Sequence, residues 1–164
     1  MNRNILLLSI LLCYFFPILL VCDNYKCNNT VSNILCDNNC RNYILFFMVL
    51  MGIATMLYEL ERNDIYSQIL IFWILIGIYL LLLYDESYKI HTFFAGFVFI
   101  CISLFMIYHF SLKKYNRLLL FSLIFQILLI VFISINQNNP IYFFYGEILY
   151  ILNFAFYYLY LHFI

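Results

Sequence analysis

The last stretch of the chain, Ile141–Ile164, reads IYFFYGEILYILNFAFYYLYLHFI. About 20 residues at 1.5 Å each cross the ~30 Å hydrocarbon core of a bilayer, so this run has membrane length. One acid, Glu147, and one amide, Asn153, stand in it among dense aromatics. An ionisable group in such a run is costly to place in lipid, which makes Glu147 a candidate functional residue. Helical spacing puts Tyr150 on its face, with Asn153 on an adjacent stripe.

Working outward, five more apolar runs precede this one: Ile5–Val21, Tyr43–Leu60, Ile65–Tyr84, Thr92–Phe110 and Leu118–Ile135. The sixth run itself extends over Ile141–Leu161. All fit the roughly 17–25 residues of a membrane helix, and none alternates as a barrel strand does. Backbone groups in lipid must be satisfied within the segment, so the runs are expected to be helices. Connections as short as Glu61–Asp64 and Asn136–Pro140 make sequential neighbours antiparallel. The expected fold is all-α: a polytopic membrane protein built as a six-helix up-down transmembrane bundle, one domain over 1–164. It has five spans if the first run is a cleaved signal. Pro17, a long apolar core and the missing small residues before Asp23 favour a retained helix.

Composition supports the same class. The chain is 67% hydrophobic and only 10% charged, against about 25% charged in soluble domains. No polar surface is left to cover a soluble core. Net charge is zero, so there is no electrostatic footprint for nucleic acid. Membrane lipids are the expected partners, with other membrane subunits as a second class.

Charge in the connections sets the expected orientation. With the N-terminus cytosolic, that side carries Arg3, Arg62, Lys113, Lys114 and Arg117, and the other side Lys26, Arg41 and Lys89. The positive-inside bias then places both termini in the cytosol. The one long connection, Cys22–Asn42, becomes lumenal or extracellular. It holds Cys22, Cys27, Cys36 and Cys40, expected to form disulfides in an oxidising compartment. Their pairing stays open. Zinc is the alternative, but Cys36-x-x-x-Cys40 alone is a weak zinc pattern. Asn28-Asn29-Thr30 is a glycosylation sequon on Asn28.

Gly-rich phosphate loops, nucleophile elbows and zinc-protease motifs are absent, and no cofactor or metal is expected. Chemistry would have to rest on scattered polar residues. Asp85, His91 and Glu147 fall on the same predicted side and at one end of the bundle. Histidine exchanges a proton near neutral pH, so the three form a candidate acid–base set for lipid ester chemistry near the headgroups. The alternative is a solvated loop with His91 as an interface residue or cap. Asn153 and Tyr150 are candidate substrate contacts. Glu59, Glu61, Arg62 and Asp64 read as a local salt-bridged turn, and His109 and His162 as cations suiting helix ends. Ser122 and Gln126, one turn apart, read as interhelical hydrogen bonds.

Two stretches carry a resemblance: His91-Thr-Phe-Phe-Ala-Gly-Phe, and Gly146-Glu-Ile-Leu-Tyr-Ile-Leu-Asn153-Phe-Ala-Phe-Tyr. Together they resemble the six-span FRAG/DRAM/Sfk-like membrane family, which includes the post-GPI-attachment Golgi proteins and the damage-regulated autophagy modulators. The likeness lies in a His followed by small residues opening the fourth span. It extends to an acid and then an Asn in an aromatic-rich last span. Ile148 stands where the family has an aromatic after the acid, and the first connection carries cysteines and only Val31-Ser32 in place of the family's signature. The resemblance implies a Golgi or ER multi-pass protein taking part in GPI-anchor lipid remodelling or maturation, with His91, Glu147 and Asn153 as the positions carried over. The alternative is a non-enzymatic membrane subunit, or a lipid-organising, autophagy-modulator-like protein.

Overall fold

The computed structural model describes residues 3–25, 30–36, 38–84, 88–113 and 116–163. The elements are α1 (Arg3–Asp23), α2 (Val31–Cys36), α3 (Asn38–Arg62), α4 (Ile65–Leu83), α5 (Lys89–Leu112), α6 (Arg117–Ile135) and α7 (Pro140–Phe163). The described chain is thus all-helical, and five helices, α1 and α3–α6, are long and apolar enough to cross a membrane. α7 has the length, 24 residues. Its tyrosines, Glu147, Asn153 and His162 lower its mean hydropathy, and it falls outside that set.

The first connection departs from the expected loop. Thr30 Oγ1 accepts the Asn33 N–H at 3.1 Å, capping a short helix. The apolar pair Val31 and Ile34, three apart on one face, is buried against Val21, Ile44, Phe144 and Ile148. α3 then starts at Asn38, inside the stretch expected to be loop. At the next turn Asn63 takes a positive φ of 59°, a conformation Asn tolerates better than most residues. Asp64 caps α4 by accepting the Ser67 N–H.

Helices pair as antiparallel neighbours: α1 with α3, α4 with α5, α6 with α7. Two of these pairs approach closely because one partner is glycine. A Cβ at Gly77 would stand 2.6 Å from Val98 Cγ2, and one at Gly146 2.8 Å from Ile133 Cγ1. α1, α3, α4, α5 and α7 touch in turn around a ring, and α6 packs outside it against α5 and α7. α2 contacts α1, α3, α4 and α7, so it lies across one end of the ring.

α7 binds this assembly together through its polar groups. Tyr150 OH donates to the Phe99 carbonyl and Tyr157 OH to the Met106 carbonyl, both on α5. Tyr14 OH on α1 donates to the Ile151 carbonyl of α7 at 2.8 Å. Each acceptor sits within a helix, where a carbonyl has a second lone pair to offer. α7 is therefore bonded on several sides, and its buried phenols find the partners they require.

Candidate functional site

The ring surrounds a partly open cavity of about 240 Å³. For comparison, an apolar cavity of about 150 Å³ is enough to take up benzene. Lining positions run from Ile10 to Val21 on α1, Ile44 to Thr55 on α3 and Ile71 to Leu82 on α4. On α5 they run from His91 to Ile102, and on α7 from Glu147 to Tyr158, with Leu159 beyond. Each interval is eleven residues of helix, or roughly 16 Å of rise. Five helices thus delimit the same slab of depth, and the space is a slot along the bundle axis. Its walls are overwhelmingly aliphatic and aromatic.

His91 and Glu147 both line the slot at its α2 end, and Tyr150 lies one turn in from Glu147. The structure therefore brings these three sequence candidates to one cavity. His91 is buried, and its Nδ1 lies 2.8 Å from the Tyr84 carbonyl at the end of α4. A carbonyl only accepts, so Nδ1 carries the proton and the ring orientation is set; in the neutral ring Nε2 is then the basic nitrogen. Glu147 Oε2 accepts the Val31 N–H at 3.1 Å, which ties α7 to the first residue of α2. Arg41, at the same end, donates to the Leu82 carbonyl at 3.0 Å. His91 on α5 and Glu147 on α7 thus put two ionisable side chains into the lining of an otherwise apolar slot.

The other candidates fall elsewhere. Asn153 does not line the slot: its Nδ2 donates to the Ser122 carbonyl and to Gln126 Oε1, and its Oδ1 accepts from Ser122 Oγ. The amide joins α7 to α6, and Ser122 and Gln126 make interhelical bonds. Asp85, Asn28 and Cys27 lie outside the described residues, as do the side chains of Cys36 and Cys40. Cys22 is an exposed free thiol in the last turn of α1, and Cys13 and Cys101 are also free. Among the described residues no disulfide is formed, contrary to expectation for Cys22, whose side chain faces outward. No cluster of potential metal ligands occurs among them either.

The opposite end holds a constellation that sequence reading missed. Glu59, taken as part of a surface turn, is fully buried. Its Oε2 accepts from Ser67 Oγ at 2.6 Å and from Arg62 Nη1 at 3.0 Å. Its Oε1 accepts from Tyr158 OH at 2.6 Å, and His162 Nε2 lies 3.6 Å away. Ser67 Oγ, whose hydrogen points to Glu59, accepts from His109 Nε2–H at 3.2 Å. One carboxylate thereby links α3, α4, α5 and α7. A local signal existed: Tyr158 and His162 are four apart on one helical face, and Glu59 sits a turn before the end of an apolar helix. Nothing in the sequence said that these faces meet. Tyr158 belongs to both regions, since its ring lines the slot while its hydroxyl is held by Glu59.

Compared with protein-family models, with curated proteins and with solved structures, the chain finds no match in any of the three.

Proposed function

We propose that this chain is a six-span endomembrane protein that takes an apolar chain of a membrane lipid into its helical ring. It would present the lipid's polar end to His91 and Glu147, in the service of GPI-anchor lipid remodelling or maturation. The observation that carries the lipid reading is the slot: apolar along roughly 16 Å of depth and polar at one end, where His91 and Glu147 stand. The GPI context is supported by the resemblance of the His91 and Glu147–Asn153 stretches to the six-span family. The positive-inside bias puts this end on the lumenal side and both termini in the cytosol. Golgi or ER fits that context better than the plasma membrane.

A second reading, a non-enzymatic lipid-organising subunit, is favoured by one specific observation. Glu147 accepts the Val31 N–H and His91 bonds the Tyr84 carbonyl, so each of these groups also holds the bundle together. His91→Ala and Glu147→Gln variants in cells separate the readings, with protein level and GPI-anchor lipid composition both measured. Altered anchor composition at normal protein level is the result expected of an active site. Unchanged composition at normal level rejects that role, and loss of the protein supports the structural one.

A further inference from the structure

The floor of the slot is as defined as its mouth. Tyr158 and its neighbour Leu159 close the lining on α7 at the depth where Thr55 ends it on α3 and Ile102 on α5. Its ring packs against fully buried Phe105 with centroids 5.8 Å apart, and edge-on against His162 at 4.4 Å. A ring in an apolar pocket could still swing aside for a longer ligand. Here the hydroxyl donates to Glu59 at 2.6 Å, and Glu59 is itself fixed by Ser67 and Arg62. Moving the ring would leave a buried carboxylate short of a donor, which is costly in a low-dielectric interior.

Resting on the lipid reading above, we propose that Tyr158, pinned by Glu59, is a chain-length stop that selects the acyl or alkyl chain the slot accepts. An extended chain advances about 1.2 Å per bond, by analogy with three backbone bonds spanning at most ~3.3–3.6 Å. Roughly 16 Å of depth therefore holds a chain of about 13 bonds. The ligand class is a lipid with one chain near that length inside the slot, its polar end at His91 and Glu147. Tyr158 is a specificity residue and takes no part in bond making. Ala155, buried on the slot-lining face of α7 one turn from the mouth side of Leu159, offers the complementary change. A larger side chain there takes up space at the inner end and leaves Tyr158, Glu59, Ser67 and Arg62 themselves unsubstituted.

The experiment is purification of the intact chain in detergent after a wash with excess short-chain lipid, followed by mass spectrometry of the retained lipids. Wild type, Tyr158→Ala and Ala155→Leu are compared. The expected result is a narrow length distribution in wild type, lengthened in Tyr158→Ala and shortened by about four carbons in Ala155→Leu. Four carbons correspond to roughly one 5.4 Å helical turn at ~1.2 Å per bond. If wild type retains no lipid, the lipid-slot reading itself fails. If wild type retains lipid and Tyr158→Ala leaves the lengths unchanged, the stop is wrong while the slot stands; if Ala155→Leu leaves them unchanged, the chain does not reach that depth and the stop is overturned as well. Should Tyr158→Ala fail to accumulate, Ala155→Leu still decides the matter.

Discussion

Glu59 in α3 and Glu147 in α7 meet opposite surroundings. Glu59 is fully buried and takes hydrogen bonds from Ser67, Tyr158 and Arg62, with His162 beside it. Glu147 is half-buried at the edge of an apolar slot and accepts the backbone N–H of a six-residue helix. A charge taken out of water is tolerated where several donors replace its hydration, and removing one of them is then expensive. The Glu59 end is thus built to hold four helices in register. At the Glu147 end a polar group faces space large enough for a ligand. The contrast teaches that an acid in an apolar helix is not by itself a site; what its oxygens face decides.

Substitutions at the two ends test this contrast. Glu59→Leu should be the most damaging, costing about 3–5 kcal/mol as expected when one partner of a buried ionic network is removed. It is read by SDS-induced unfolding of the purified protein in bicelles. Wild-type stability in this variant would mean that the Glu59 end does not organise the fold. At the opposite end, α7 is placed by close backbone approach, and Gly146→Val should cost about 1–3 kcal/mol of overpacking. Its Cβ would meet Ile133 Cγ1 at 2.8 Å. The same unfolding measurement tests it, and an unchanged midpoint would show that α6 and α7 can part freely.

Between the two ends, Asn153→Leu removes the bonds to Ser122 and Gln126 and leaves buried Gln126 without that partner. About 1–2 kcal/mol is expected, within the range of interhelical hydrogen bonds in membranes. A double cycle with Gln126→Leu should recover part of it. Glu147→Gln should be the mildest, under about 1 kcal/mol, because the amide oxygen still accepts the Val31 N–H. A loss as large as that of Glu59→Leu would erase the difference between the ends and make both structural.

Much of this was legible beforehand. Run length and apolarity marked all six long helices, because membrane or core helices advertise themselves by local composition alone. α2 was not foreseen, although Thr30 followed by Val31 and Ile34 carried the signal of a capped apolar turn. His91, Glu147 and Tyr150 were singled out from chemistry, and they do share one cavity. Asn153 was singled out with them, and its amide is engaged by α6 instead. Glu59 was misread because the turn beside it, with Glu61, Arg62 and Asp64, looks like ordinary charged surface.

Local composition sets the helical class, the approximate position of each long helix and the antiparallel order imposed by short connections. These follow from sums over neighbouring residues. Which groups each carboxylate meets, and which side chains line the slot, is settled by the packing of distant elements. Val31 and Glu147 are 116 positions apart, and Tyr158 and Glu59 are 99 apart. Whether a buried carboxylate finds its donors depends on helix rotation and packing, which no local window contains.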